Sequence, residues 1–140
     1  MKILGLNFNK INVERFPQNE EKADIKISTD IGILDIKSIN ADIFKTKDEF
    51  LSIKFSYVIN YEPKFAKIEF LGEMVVSLDP KDAKDVLKDW KEKKFSEDFK
   101  VFVFNAILRK ANLKALELED DMNLPLHMPF PMVRKESDRQ

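Results

Sequence analysis

The chain has 140 residues, of which 44% are hydrophobic and 35% charged, so we predict a single globular domain with a sizeable core. The 24 basic and 25 acidic residues are interleaved, which argues against the basic face that nucleic-acid binding requires. Cysteine is absent, and no apolar run approaches the roughly 20 residues of a membrane helix or forms a signal-peptide core. We therefore predict a cytoplasmic protein that binds neither nucleic acid nor membrane.

The first two segments predict strands whose apolar alternation changes parity once. In residues 2–15 the change falls near Asn9-Lys10, which predicts a β-bulge at that point. In residues 23–39 it falls around Ile33-Leu34, and we expect Gly32 to mark the bend or bulge. A polar loop is predicted between the two strands.

The clearest periodicity lies in residues 49–61, where apolar or aromatic side chains occupy every second position. This pattern predicts a long, half-buried strand. The alternation resumes at Ala66 and continues to Leu78, after the short turn Glu62-Pro63-Lys64. Because such a short turn permits no crossover, the two segments are predicted to form an antiparallel hairpin.

Two helices are predicted to follow the strands. Asp79 and Pro80 suit the cap and the first turn of a short amphipathic helix. Ser96 suits the cap of a second helix, which we expect to run to about Leu113 and at most to Leu118. The acidic residues at positions 117–121 would oppose the dipole of a longer helix.

Strands grouped before helices predict an α+β domain. We expect a four-stranded antiparallel sheet followed by two helices that pack on one of its faces. The domain is predicted to span residues 1–133, and the charged residues 134–140 are predicted to form a disordered tail.

The second predicted helix is apolar on more than one side, whereas a helix that covers only one core needs a single apolar stripe. Phe99, Phe102, Val103 and Ile107 can close the core of the sheet. The opposite face needs another cover, and a symmetric dimer through this helix is the simplest one. The candidate oligomer-interface residues are Val101, Phe104, Leu108 and Ala111.

Aromatic side chains gather where the two predicted helices meet, at Trp90, Phe95, Phe99 and Phe102. Core filling accounts for most of them. The alternative is an apolar groove between the helices and the sheet that can hold extended polypeptide.

Residues that carry chemistry are scarce. The one histidine, His127, lies in the apolar, proline-containing segment 124–133. Without cysteine or a second histidine, we interpret it as an ordinary polar residue of an extended segment and not as a base or metal ligand. The three glycines form no phosphate-binding loop or nucleophile elbow, and residues 117–121 lack the ligand spacing of a calcium loop. We predict no catalytic residue, no metal and no cofactor, and hence no enzyme.

The layout resembles the SecB export-chaperone family. The matching parts are the four strands between residues 2 and 78, the long helix from Glu97 to about Leu113, and the apolar segment 122–130. The resemblance implies a homotetramer, built as a dimer of dimers, that binds unfolded polypeptide in apolar grooves without ATP. The client-groove candidates that it suggests are Trp90, Phe95, Phe99, Leu126, Met128 and Phe130.

Two departures from the export type bear on the function. The chain is nearly neutral, and a highly charged helix stands between Leu78 and Ser96 in place of a glycine-containing loop. A general holdase, or a partner-specific chaperone such as those attached to toxin–antitoxin systems, is therefore favoured over an export role.

Two other classes of protein stay open. One is a structural or partner-specific subunit that binds no promiscuous client. The other is a small hot-dog-like thioesterase, although that fold places its long helix early in the chain and here both predicted helices follow the strands. The sequence leaves open whether a dimer or a tetramer forms and whether the segment 124–133 packs on its own subunit.

Overall fold

A computed structural model describes residues 1–17, 24–40 and 46–135. The elements in chain order are β1 (Lys2–Arg15), β2 (Lys26–Ile39), β3 (Glu49–Glu62), β4 (Ala66–Leu78), α1 (Pro80–Glu92) and α2 (Glu97–Asp121). The predicted α+β class, with four strands before two helices, is confirmed. The predicted start of the second strand at residue 23, much of the predicted first loop and residues 136–140 of the predicted disordered tail lie outside the described residues.

The strands form one antiparallel sheet in the order β1-β4-β3-β2, so that β3 and β4 lie in its centre. The predicted β3–β4 hairpin is confirmed, since Tyr61 pairs with Ala66 beside the turn. Because side chains alternate between the two faces of a strand, one face of this hairpin is apolar and lies under the helices. Its fully buried residues include Ile53, Phe55, Ile59, Ile68, Phe70 and Met74.

The predicted bulge in β1 is confirmed and lies opposite Gly72 of β4. The register shifts just after Phe8, which allows Phe8 and Val13 to pack against the same core cluster. A Cβ atom on Gly72 would overlap the Phe55 ring and lie 2.5 Å from the carbonyl oxygen of Asn7. Only glycine therefore fits where this ring and β1 approach the backbone of β4.

The bulge in β2 lies where the apolar alternation changes parity, around Ile33-Leu34, but Gly32 is not part of it. Gly32 pairs in register with Ser56, and the shift falls between Ile33 and Asp35. The bulged residue is therefore the exposed Leu34, and the expectation that Gly32 marks the bulge is wrong.

The helix starts agree with the sequence predictions. Asp79 is the N-cap residue of α1, but its side chain makes no capping hydrogen bond, and its backbone carbonyl accepts the N–H of Ala83 at 2.9 Å. The Ser96 hydroxyl caps α2 by accepting the N–H of Phe99 at 3.3 Å. α2 places a line of residues spaced by four against the sheet, and each of them is buried: Phe99, Val103, Ile107, Ala111, Ala115 and Glu119.

α2 continues to Asp121, so the predicted end near Leu113 is wrong. The helix terminates in a Schellman arrangement around Asn123, which has a left-handed φ of 52°. The N–H groups of Asn123 and Leu124 donate to carbonyls of the last turn at 3.3 and 2.8 Å. Arg15 of β1 donates to two carbonyls just after the helix at 3.0 and 3.2 Å, so a cation offsets the unfavourable acidic end.

Candidate functional site

Three of the predicted groove residues form a column of stacked rings where α1 meets α2. The ring centroids of Trp90 and Phe95 are 5.9 Å apart, and those of Phe95 and Phe99 are 4.9 Å apart. The Lys93 ammonium lies 3.6 Å from the centroid of the Trp90 ring, a cation–π contact. Phe99 is buried and the other two rings are half-buried, so the column presents part of its apolar surface to solvent.

A cleft of about 590 Å³ lies at this junction. Its apolar lining includes the buried side chains Leu78, Val86 and Phe99, together with Phe102. The polar lining is mainly acidic and consists of Asp82, Asp85, Asp89 and Asp98, with Lys88 and Ser96. A cleft of this size can take several side chains of an extended polypeptide.

The other predicted groove residues lie at the opposite end of α2. The segment 124–135, which we call the tail, follows the C-terminus of the helix. Met128 lines a shallow groove of about 430 Å³ on the outer face of α2, together with Leu108, Leu113 and Leu116. Because a helix of 25 residues is about 37 Å long, the six predicted groove residues form two separate groups. The tail packs on its own subunit as far as Met128.

A buried polar network fixes the tail to α2, and the sequence interpretation of His127 missed it. The Nδ1 atom of His127 lies 2.8 and 2.9 Å from the two carboxylate oxygens of Glu119, and its Nε2 atom lies 2.9 Å from Oδ1 of Asn112. Tyr61 donates to Glu119, and Tyr57 donates to Asn112 at 2.8 Å. The His127 and Glu119 side chains are only 4% and 0% exposed. His127 is therefore a tail anchor and not an ordinary polar residue of an extended segment.

Burial raises the pKa of both tyrosines in this network. The negative Glu119 carboxylate adds to both shifts because it disfavours a phenolate, and the hydrogen bond from Tyr61 adds further to the shift of that residue. Both phenols therefore stay protonated at neutral pH and act as donors. Among the described residues, every buried side-chain nitrogen and oxygen has a hydrogen-bond partner, and the geometry of this network suits a structural role that joins β3, α2 and the tail.

One signal in the sequence could have revealed this network. Tyr57 and Tyr61 lie on the core face of the β3 pattern, and a buried tyrosine hydroxyl usually finds a polar partner. Asn112 and Glu119 are seven residues apart and therefore lie close to one face of the same helix. Two polar residues on the helix face that packs against two core tyrosines predict a buried hydrogen-bond network.

The predicted oligomer-interface residues do not share one exposed face. Val101 is 51% exposed, but Phe104 and Leu108 are half-buried and pack against the core clusters of their own chain. Ala111 is fully buried. Its predicted place on the outer face is wrong, because it continues the buried line of α2 toward the sheet.

Two apolar residues of the outer face were not among the predicted interface residues. Leu113 is 68% exposed and Leu116 is half-buried, and both line the groove beside Met128. The sequence prediction put the end of α2 at about Leu113, and at most at Leu118, and assigned neither Leu113 nor Leu116 to the outer face. The real outer face extends a further two turns along the helix.

The acidic residues at the end of α2 do not converge. Glu119 points to the sheet, whereas Glu117, Asp120 and Asp121 are exposed. Within residues 1–17, 24–40 and 46–135, no group of three acidic or histidine side chains could hold a metal ion. Neither helix in this part of the chain is long and apolar enough to cross a membrane.

No protein-family model matches the chain, and no curated protein sequence matches it. Among solved structures, the fold is similar to that of the SecB-like chaperone Rv1957 of Mycobacterium tuberculosis, in complex with a ChAD peptide from the HigA1 antitoxin, Rv1956. The TM-score is 0.53 and the sequence identity is 10%, and the match covers 96% of this chain and 91% of that chain. This likeness shows that the chain has a SecB-like fold. A fold alone does not assign a function, so the functional argument has to come from the surfaces described above.

Proposed function

We propose that the protein is a non-enzymatic chaperone that binds unfolded or extended polypeptide in the cytoplasm, without ATP, as a homo-oligomer. One observation carries the proposal. The helices already cover the apolar face of the sheet, yet α2 and the tail keep large apolar side chains exposed, including Val101, Leu113, Leu126, Phe130 and Met132. An exposed apolar surface of this kind is typical of interaction sites.

The client is proposed to bind at the junction of α1 and α2. The half-buried Trp90 and Phe95 leave part of their apolar surface exposed at the side of the column, and the nearby cleft combines a buried apolar lining with four carboxylates. Apolar side chains of an extended client would pack on the rings and the cleft lining. The acidic residues would favour clients without negative charge at this point.

Assembly is proposed to use the outer face of α2. This face carries Val101 and Leu113, which their own chain leaves exposed, and Leu116, which it only half-buries. A two-fold axis across the helix would bring the same apolar patch of two copies together. We infer a dimer as the basic unit, and a tetramer would be a dimer of such dimers.

The similar structure supports polypeptide binding by this fold. Rv1957 is a SecB-like chaperone whose structure contains a peptide from an antitoxin. A peptide bound to that protein supports both a general holdase and a partner-specific chaperone for the present chain. The hot-dog-like thioesterase is disfavoured, because both helices follow the strands and the single histidine is bonded within the tail anchor.

An aggregation assay tests the proposed function. An unfolded client is diluted from denaturant into buffer that holds a stoichiometric amount of the oligomer and no ATP, and light scattering is followed. We expect suppressed scattering, and a Trp90→Ser variant should lose much of it, whereas a Leu34→Ser variant on the exposed bulge of β2 should retain it. If the native chain leaves scattering unchanged and binds no peptide, the chaperone proposal is wrong.

A further inference from the structure

The tail has a defined direction on its own subunit. Leu124 is buried beneath the end of α2, His127 contacts Glu119 and Asn112, and Met128 lies in the groove that Asn105 also lines. These contacts fall at successively earlier positions of α2. The tail therefore turns back and runs from the C-terminus of the helix toward its N-terminus.

Beyond Met128 the tail loses the cover of its own subunit. Phe130 is 62% exposed, Met132 is 74% exposed and Val133 is 96% exposed. Pro129 and Pro131 lack backbone N–H groups, so this stretch cannot continue as a helix or as a fully bonded strand. Its apolar side chains can be covered only by packing on another surface.

Charge indicates where that surface lies. Arg134 and Lys135 follow the apolar stretch, while α2 ends in the exposed acidic residues Glu117, Asp120 and Asp121. Within one subunit the tail runs away from this acidic end. If two α2 helices pair antiparallel about a two-fold axis, the tail of each copy runs toward the acidic end of the other.

The reach of the tail fits this arrangement. Arg134 lies seven positions after His127, and an extended chain covers about 23 Å over seven steps. This length is more than half of α2, which is about 37 Å long. The tail can therefore cross from its anchor to the neighbouring helix.

We propose that residues 130–133 of one copy pack on the outer face of α2 of a second copy, beside Leu113, with Arg134 and Lys135 near Glu117, Asp120 and Asp121 of that copy. This inference rests on the dimer of the proposed function and names the segment that crosses the interface. His127 then has a second role, because anchoring residues 124–128 on one subunit aims the remainder at the other.

Cross-linking tests the proposal directly, since the chain has no native cysteine. An affinity-tagged Met132→Cys chain is co-expressed with an untagged Leu113→Cys chain and treated with a short bismaleimide. We expect the untagged chain to be captured covalently with the tagged one. A matched pair that combines Met132→Cys with Leu34→Cys, on the exposed bulge of the edge strand β2, should give at least tenfold less product.

The solution mass of the cross-linking sample separates the possible outcomes. A dimer or tetramer without the Leu113–Met132 product would overturn the tail crossing and leave the assembly intact. A monomer would overturn the assembly and the tail crossing together. A third chain carries both Leu113→Cys and Met132→Cys, and if it cross-links only within itself, the tail packs on its own α2 and the proposed crossing is overturned.

Charge reversal provides an independent check. Arg134→Glu with Lys135→Glu should raise the dimer dissociation constant roughly tenfold at low salt, through the loss of exposed ion pairs. Asp120→Lys with Asp121→Lys in the second copy should restore binding to the reversed tail. Lys84→Glu with Lys91→Glu on α1 makes the same change in net charge and should leave assembly unchanged. Equal effects of the two reversals would contradict the proposed contact.

Discussion

The two faces of α2 differ in how much of their apolar surface is buried. Toward the sheet, every residue of the line spaced by four is buried, and the small Ala111 and Ala115 pack in a cluster with the tyrosines of β3. Away from the sheet, Val101 and Leu113 are large, apolar and exposed. Folding of a single chain therefore explains the inner face, whereas the exposed apolar residues of the outer face are the ones that we propose to pack against a second copy. Four predictions test this contrast, in order of decreasing expected effect.

The largest effect is expected at Glu119, the last of the buried α2 residues that are spaced by four. Glu119→Ala removes the acceptor of Tyr61 and the partner of His127 inside the fold, and should lower the free energy of unfolding by about 3 to 5 kcal/mol. Urea denaturation measures the loss. Glu117→Ala, two residues earlier on the exposed side, should change it by less than about 0.5 kcal/mol. Similar losses in both variants would contradict the structural role of the network.

The second prediction compares two branched aliphatic residues of one helix. Ile107→Ala on the inner face should cost about 2 to 5 kcal/mol at every protein concentration, because it leaves a cavity in the core. Leu113→Ala on the outer face should mainly weaken the concentration dependence of the unfolding midpoint, since it acts on assembly. If Leu113→Ala destabilises the chain equally at all concentrations, the outer face belongs to the protomer core.

The third prediction concerns the sheet beneath α2. Gly72→Ala should destabilise the fold by about 1 to 3 kcal/mol, because the added methyl group meets the Phe55 ring and the β1 backbone. Gly5→Ala is the matched control, since a Cβ at that position has no other heavy atom within 4 Å among the described residues. Equal thermal shifts for the two variants would disprove the close approach at Gly72.

The fourth prediction is a dependence on alkaline pH. The pKa values of Tyr57 and Tyr61 are raised above 10.0 in the folded protein, so the unfolded chain loses these protons first as pH rises. Their contribution to stability is complete below pH 10 and is lost above it, by up to about 1.4 kcal/mol per pH unit for each group. Tyr61→Phe should flatten the fall in urea-derived stability between pH 10 and pH 11. An unchanged slope would count against the buried phenol.

The sequence predicted most of the architecture because period-two and helical patterns are local. The β3–β4 hairpin, the β1 bulge and both helix starts follow from alternation and capping residues that need no tertiary information. The length of α2 was not predictable in this way. Its acidic end is stabilised by Arg15 from β1 and by the contact between His127 of the tail and Glu119, and both contacts form only in the folded chain.

Ala111 shows why the interface residues were harder to place. Val101, Leu108 and Ala111 fit one helical stripe in the sequence, whereas the real contact line follows steps of four residues. Four residues exceed one helical turn, so this line drifts around α2 and takes Ala111 to the sheet. The direction of the drift depends on how the helix crosses a twisted sheet, which the sequence pattern does not encode.

The mass of the protein in solution tests the central claim most directly. Light scattering over a dilution series should give two or four times the 16.4 kDa of one chain, and Leu113→Glu should lower this mass while Leu34→Glu does not. A mass of one chain at every concentration, equal for all three proteins, would contradict the account of the outer face of α2 as an assembly surface.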